Sequence, residues 1–314
     1  MDISPLDRAR WSLEGLAVGD SFGERFFVSN DIEEYLIANR AIPAGERSHE
    51  EAAAKQPVWP YTDDTLMALS VFASLARFGD IDQDWLAKDF ARRYDSSRGY
   101  GPAMHSYLAR LREGEDWREA APSLFGGSGS FGNGAAMRVA PIGAYFANDM
   151  DAVVENAVRS AEVTHAHPEA VAGAIAVAAA AAIASRARAE PGPPTFHGFL
   201  DRILPFVAEG EVRNGMLRAR QIGPEASMRL AVPALGNGVR VTAQDTVPFA
   251  IWCAARHLGD FEEALWTTVS GLGDRDTTCA IVGGIVAAYT GPDAIPADWR
   301  TSREPLPPWA FGEE

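Results

Sequence analysis

Apolar positions recur along this chain at helical rather than strand intervals. After Asp64, the residues Met67, Val71, Leu75 and Phe78 follow at steps of four, four and three, laying one apolar stripe along a helix face. Comparable stripes run through residues 11–18, 153–163, 170–185, 247–257 and 261–269. Strand-like alternation is scarce; Val239-Arg240-Val241-Thr242 is the best candidate, and it is short. No strand–helix–strand rhythm is present, so the pattern predicts an all-α fold of ten or more helices around one core. Pro and Gly cluster at 41–60, 114–134 and 190–195, which predicts loops there. None of these reads as an interdomain linker and no internal repeat is evident, so 1–314 is read as a single domain. The Pro-rich stretch 304–308 is expected to lie across the surface.

Composition narrows the function. Hydrophobic residues make up 47% and charged residues 23%, enough to bury a core. A formal net charge of -15 leaves little material for the basic face with which proteins grip nucleic-acid phosphates. An anionic substrate would need cations or backbone N–H groups to screen it. The two cysteines, Cys253 and Cys279, sit in apolar stretches and read as reduced core thiols, neither a disulfide framework nor a zinc site. The start, Met1-Asp2-Ile3-Ser4-Pro5, lacks the basic and apolar regions of a signal peptide. The longest apolar run, 170–184, is mostly alanine and shorter than a bilayer requires. The expectation is a soluble cytoplasmic protein without membrane contact.

Two acidic segments share one design. Trp59-Pro60-Tyr61-Thr62-Asp63-Asp64-Thr65 precedes the Met67 stripe, and Gly271-Leu272-Gly273-Asp274-Arg275-Asp276-Thr277-Thr278 precedes a small-residue helix over 280–288. Each puts two carboxylates and a threonine hydroxyl at a helix start, after a Pro or Gly bend. Either alone is explained by helix capping, which needs only one side-chain oxygen. Together they offer more oxygens than caps use, ahead of helices drawn into the core. If the two starts meet, four carboxylates crowd together, and either some are protonated or cations enter. Arg275 is the only basic residue nearby, and alternate positions in a tight turn point apart. Oxygen ligands without His or Cys suit Mg²⁺, Mn²⁺ or Ca²⁺ rather than zinc. Two dications would balance four carboxylates.

Other segments offer weaker signals. The run from Gly127 through Gly129, Ser130, Phe131, Gly132, Asn133 and Gly134 is a Gly/Ser loop whose free N–H groups would suit a phosphate, although such loops are common without a ligand. Phe125 and Phe131 flank it and either stack on a base or fill the core. Arg138, within an apolar run, is expected to pair with a buried acid. Thr164-His165-Ala166-His167-Pro168 invites a metal reading, but histidines two apart share no helix face and Pro168 signals a helix start. Either histidine would then cap a helix or contact a phosphate or ribose. Arg98-Gly99-Tyr100-Gly101 is a turn with one aromatic side chain.

Taken in order, these motifs resemble the ADP-ribosylglycohydrolase family, which includes the dinitrogenase reductase-activating glycohydrolases. The resemblance runs through Gly15-Leu16-Ala17-Val18-Gly19-Asp20-Ser21-Phe22-Gly23, Thr62-Asp63-Asp64-Thr65 and Arg98-Gly99-Tyr100-Gly101. It continues in Gly132-Asn133-Gly134-Ala135-Ala136-Met137-Arg138-Val139-Ala140-Pro141, Thr164-His165-Ala166-His167-Pro168 and Gly273-Asp274-Arg275-Asp276-Thr277. It implies a single-domain, orthogonal multi-helix bundle carrying two Mg²⁺ or Mn²⁺ ions. By the family pattern Thr62, Asp63, Asp64, Asp274, Asp276 and Thr277 hold the metals. Gly129, Ser130 and the turn through Phe131, Gly132 and Asn133 form the diphosphate cradle. Phe125 lies near adenine, His165 near the phosphates, and Gly99, Tyr100 and Gly101 near the distal ribose. Many members carry a glutamate seven residues after the Asp of their Gly-Asp motif; here that position is Phe27, and the nearest acid is Glu24, with Glu33 and Glu34 following in a predicted helix. A Gly-Leu-Gly-Asp-Arg-Asp run also stands where a Gly-Gly-Asp-x-Asp form is common.

The implied reaction is hydrolysis at the anomeric carbon of an ADP-ribosyl group on a protein or other acceptor, with Asp64, Asp276 and Glu24 as catalytic candidates. Nucleic acid enters only as a modified acceptor. Rival readings are a metal-dependent hydrolase of another phosphorylated small molecule, and a protein that binds ADP-ribose or neutralises a toxin without turnover.

Overall fold

The computed structural model of the protein describes residues 3–28, 30–43 and 58–312. In chain order its α-helices are α1 (Pro5–Glu24), α2 (Asn30–Ala38), α3 (Asp63–Phe78), α4 (Gln83–Arg93), α5 (Pro102–Arg112), α6 (Trp117–Gly127), α7 (Ala140–Tyr145) and α8 (Met150–Glu162). There follow α9 (Pro168–Ala187), α10 (Phe196–Ile203), α11 (Glu211–Ile222), α12 (Met228–Leu235), α13 (Ala243–Arg256), α14 (Phe261–Val269), α15 (Arg275–Thr290) and α16 (Ala297–Ser302). Among the described residues no strand forms; two isolated bridges pair Trp59 with Arg303 and Gly132 with Thr242. The fold is all-helical, as the apolar periodicity predicts, and every predicted stripe falls within a helix or its cap. Helix starts follow local chemistry: Ser4, Thr62, Asp82, Asp116, Asp149, Thr195 and Asp260 each accept a backbone N–H of the first turn.

Alanine-rich α9 occupies the centre, packed by α7, α8, α13 and α15. Among the described residues it is the one helix long and apolar enough to cross a membrane, and 89% of its apolar window is inside the fold. Its short side chains let neighbours come close: a Cβ on Gly143 of α7 would lie 1.9 Å from the Ala178 carbonyl oxygen. The same device joins α1 to α15. Gly15, Gly19 and Gly23 lie at four-residue intervals on one face of α1, and a Cβ on them would stand 2.4 Å from Gly283 O, 2.1 Å from Cys279 O and 2.3 Å from Arg275 O. Backbone therefore rests on backbone, and the end of α1 sits beside the start of α15.

Three local expectations are corrected. Val239-Arg240-Val241-Thr242 is a loop, because Val241 takes a left-handed φ of 55° and Thr242 begins α13. The stretch 114–134 contains α6, which breaks at Leu124, Phe125 and Gly126 before the Gly/Ser loop begins. Arg138 is wholly buried but forms no ion pair with an acid among the described residues; its partners include Gly134 O, Ser160 O and Thr164 Oγ1. Most of the loop predicted at 41–60 lies outside the described residues. The stretch 190–195 is a loop, and 304–308 runs half-exposed over the surface, anchored by Glu304 N donating to Trp59 O at 2.9 Å. Both cysteines are free and buried.

Candidate active site

Three helix ends converge. Thr62 caps α3 and sets Asp63 and Asp64 in its first turn, while Asp274 stands at the N-cap of α15 with Asp276 in the first turn. Gly273 enters that turn at φ 71°, where a Cβ would strike Asn237 O at 2.3 Å, so only glycine fits. Asp274 is held from two sides: its N–H donates to Asn237 O at 3.0 Å, and Asn133 Nδ2 donates to its Oδ2 at 2.6 Å. The glycine face of α1 brings in a third carboxylate, Asp20, which is fully buried. Its Oδ2 accepts from Thr62 N (2.9 Å), Thr65 N (3.1 Å) and Thr65 Oγ1 (2.5 Å), and its Oδ1 accepts from Thr62 Oγ1 (2.8 Å). Asp20 thus ties α1 to the start of α3.

One carboxylate oxygen from each of Asp20, Asp64 and Asp276 lies within 4.8 Å of the others. Asp64 Oδ1 and Asp276 Oδ1 are buried without a hydrogen-bond partner among the described residues. Burial first, then the neighbouring carboxylates, raises Asp64 and Asp276 well above the ordinary carboxylate range. The same causes push Asp63 up to about 8, with Asp20 its foremost neighbour. Among the described residues no cation forms an ion pair with these carboxylates, and the Arg138 charge offsets only a small part of the rise at Asp63. Arg275 turns away to an ion pair with Glu33 and lies 4.7 Å over the Phe27 ring, while Arg98 pairs with Glu304. Two orphaned, buried, hard oxygen atoms among crowded carboxylates are the donor set that a divalent cation completes. The residues therefore fit a metal, and the acidic group is a candidate metal site.

The cluster floors a cavity of ≈ 650 Å³. Of the sequence-predicted residues, Asp63, Asp64, Asp274, Asp276, Thr277, Gly99, Tyr100, Gly101, Phe125, Ser130, Phe131, Gly132, Asn133 and His165 all line it. Gly99 follows Arg98, whose carbonyl accepts Asp63 N at 2.7 Å, so this turn is fastened to the cluster. In the Gly/Ser loop, the Ser130 and Phe131 N–H groups make no hydrogen bond among the described residues, whereas Gly132 N donates to Ser130 Oγ at 3.2 Å. Phe125 is 59% exposed in a left-handed conformation (φ 51°), its ring 6.5 Å from that of Phe131. His167 caps α9, as Pro168 suggests, and the buried His165 reaches the wall beside Gly132 and Gly134 of the Gly/Ser loop.

Three named residues are not on the wall. Thr62 lies behind the cluster, held by Asp20. Gly129 sits behind the loop at φ 72°, where a Cβ would meet His167 N at 2.9 Å. Glu24 ends α1 off the wall, and burial followed by the charge of Asp20 raises it to about 7. No role was evident in the sequence for Asp20, nor for Arg240, Val241 and Thr242, which also line the wall. Asp20 was findable, since it follows Gly19 in a helix whose glycines recur every fourth residue. The 240–242 loop carried no signal, because its placement depends on Asn133 N donating to Val241 O and Ala243 N to Phe131 O across more than a hundred residues.

Residues 1–310 match the ADP-ribosylglycohydrolase family. The human ADP-ribosylhydrolase ARH3 is 31% identical over 335 residues, covering 95% of this chain and 90% of that protein. Its chicken counterpart is 31% identical over 337 residues, covering 96% and 90%. An uncharacterised protein of Archaeoglobus fulgidus is 30% identical over 303 residues, covering 93% and 90%. A solved structure described as an ADP-ribosylglycohydrolase-related protein complex superposes with a TM-score of 0.65 at 26% identity, covering 96% of this chain and 93% of that one. With the helical fold and its acidic cavity, these likenesses establish that the chain belongs to the ADP-ribosylglycohydrolase family and is a glycosidic-bond hydrolase.

Proposed function

We propose that this chain, acting as one domain, releases ADP-ribose from a modified acceptor with the help of two Mg²⁺ or Mn²⁺ ions. The observation that carries the reading is the pair of orphaned oxygens, Asp64 Oδ1 and Asp276 Oδ1, on the floor of a cavity large enough for a nucleotide. Asp63, Asp64, Asp274, Asp276 and Thr277 would hold the ions from the wall, with Thr62 and Asp20 behind them. When bound, such ions supply positive charge beside the anomeric carbon and make a nearby water more acidic.

The chain's own residues account for the rest. Asp20 and Asn133 fix the orientation of the cluster by accepting from Thr62 and Thr65 and donating to Asp274, respectively. The free N–H groups of Ser130 and Phe131 are placed to hold a diphosphate without any basic face, which suits a chain of net charge -15. Phe125 and Phe131 offer rings for the base, and the Gly99–Gly101 turn lines the same cavity. Asp63, on the wall beside the cluster, is a carboxylate placed to take a proton from an attacking water once bound cations hold it ionised. Glu24 is set back at the end of α1, where burial and the Asp20 charge raise its proton affinity.

Asp64→Asn and Asp276→Asn are expected to fold normally and to lose turnover by about a hundredfold or more in Mg²⁺ or Mn²⁺. The assay separates free ADP-ribose from AMP and inorganic phosphate across a panel of ADP-ribosylated substrates, with and without chelator. Full activity in both variants, or release of phosphate or AMP in place of ADP-ribose, would refute the proposal.

A further inference from the structure

Among the described residues no carboxylate forms an ion pair with Arg138, although it is wholly buried; the Asp63 charge acts on it only from beyond contact. Its Nη2 donates to Ser160 O at 2.6 Å and to Thr164 Oγ1 at 2.9 Å, and its Nη1 donates to Gly134 O at 3.1 Å. Phe90 covers it, the ring centroid 4.7 Å away. A guanidinium has only donors, so Thr164 Oγ1 must be the acceptor in that contact. The same oxygen lies 2.6 Å from His165 Nδ1. Thr164 is 0% exposed, and its hydroxyl hydrogen has no other acceptor among the described residues. Were Nδ1 protonated, Thr164 Oγ1 would receive two donors and its own hydrogen would point at nothing, a state folded interiors avoid. Nδ1 is therefore the acceptor of the threonine hydrogen.

We infer that Arg138 and Thr164 form a one-way relay that fixes His165 as the neutral Nε2–H tautomer, making its outer nitrogen a permanent donor on the cavity wall. The wall is built to admit that nitrogen: a Cβ on Gly132 or Gly134 would stand 3.1 or 3.0 Å from Nε2. Nε2 itself makes no hydrogen bond among the described residues. Burial first, then the Arg138 charge, holds the imidazole down at about 3, so it donates a hydrogen bond without carrying charge. Beside the free N–H groups of Ser130 and Phe131, such a donor suits an anionic oxygen. The ligand part of this inference, the substrate diphosphate, rests on the proposed function. Arg138 and Thr164 are positioning residues, since neither lines the cavity.

Nitrogen-15 NMR of histidine-labelled full-length protein near neutral pH reads the tautomer directly. The expected pattern for His165, assigned by its loss in His165→Gln, is a pyridine-like Nδ1 and a protonated Nε2. In Thr164→Val, which keeps side-chain shape, the tautomer is expected to become mixed and the Kd for ADP-ribose in Mg²⁺ to rise about tenfold. Thr164→Ser is expected to restore both. An Nδ1-protonated or doubly protonated ring in the unaltered protein overturns the relay, as does a Thr164→Val protein with unchanged tautomer and affinity. If the unaltered protein neither binds nor cleaves ADP-ribosyl compounds, the proposed function fails, while the NMR pattern still decides the relay.

Discussion

Asp20→Asn separates two roles that a buried carboxylate at this position combines. Asparagine keeps an oxygen where Oδ2 accepts from Thr62 N, Thr65 N and Thr65 Oγ1. Its amide nitrogen replaces Oδ1, so Thr62 Oγ1 must accept there and turn its hydrogen to Asp64 Oδ2, already 3.1 Å away. The tie between α1 and α3 thus survives with neutral bonds in place of charge-assisted ones, a loss of about 1 kcal/mol for each of the bonds. Against this stands relief of repulsion. Two ionised carboxylate oxygens 4.8 Å apart repel by about 3.5 kcal/mol at an effective dielectric of 20. Asp20 has two such neighbours, partly protonated without metal, so in chelator gain and loss nearly cancel and the melting temperature is expected to move by no more than a few degrees. In saturating Mg²⁺ or Mn²⁺ the relief is absent, because cations already screen the cluster, and the loss of about 4 kcal/mol stands alone. At roughly 2–4 °C per kcal/mol for a chain of this size, the metal-loaded variant should melt about 10 °C below its parent. Thermal unfolding with chelator and with each metal is the measurement. An equal drop in both conditions would mean that Asp20 is a structural tie alone, and the electrostatic reasoning would fall.

Three further perturbations test neighbouring steps. Glu24, raised from 4.5 to about 7, and Asp63, raised from 3.8 to about 8, take up protons on folding, so their contribution favours the fold below pH about 4 and is lost as pH rises toward about 8. Melting temperatures in chelator should therefore fall between about pH 5 and 8, and the stabilisation on adding Mg²⁺ should grow over the same range; a metal effect independent of pH contradicts this. Gly19→Ala puts a Cβ 2.1 Å from Cys279 O, so α1 and α15 must separate; a cost of about 3 kcal/mol and loss of metal-dependent stabilisation are expected in the same melts, and wild-type behaviour would deny the close packing. Arg240, the one lysine or arginine among the described residues of the cavity wall, lies on an exposed loop where it would meet the proposed anionic substrate; Arg240→Gln should raise KM about five- to tenfold with kcat nearly unchanged, and an unaltered KM excludes the contact.

The helices were legible because their signal is local. Met67, Val71, Leu75 and Phe78 mark a face by spacing alone, and Thr62 or Asp274 marks a start by side-chain chemistry. The acidic residues were legible for a different reason: four carboxylates ahead of core helices exceed what capping uses. What stayed hidden depends on the distance between segments. Val241 reads as a strand residue from its β-branched neighbours, yet Gly238 O and Asn133 N hold it in a left-handed turn. Arg138 suggests a buried acid by charge, yet carbonyl oxygens and a hydroxyl at 134, 160 and 164 satisfy it. Both errors come from assigning to local sequence what tertiary hydrogen bonds decide.

The arrangement of α1 and α15 explains how a chain with this much acid can fold at all. Gly15, Gly19 and Gly23 against Gly283 and Cys279 give a backbone-to-backbone seam whose dispersion contacts do not depend on charge. That seam fixes Asp20 and Asp276 together before any cation is needed, and Thr62 and Thr65 supply the donors that make one of the two tolerable when buried. The remaining oxygens, Asp64 Oδ1 and Asp276 Oδ1, are buried without donors among the described residues, on two side chains that line the cavity. A protein that needed these carboxylates only for stability would have satisfied them as it satisfied Asp20. Leaving two unsatisfied while spending four hydrogen bonds on the third is the distribution expected if the unsatisfied pair is reserved for a cation and the satisfied one holds the pair in place.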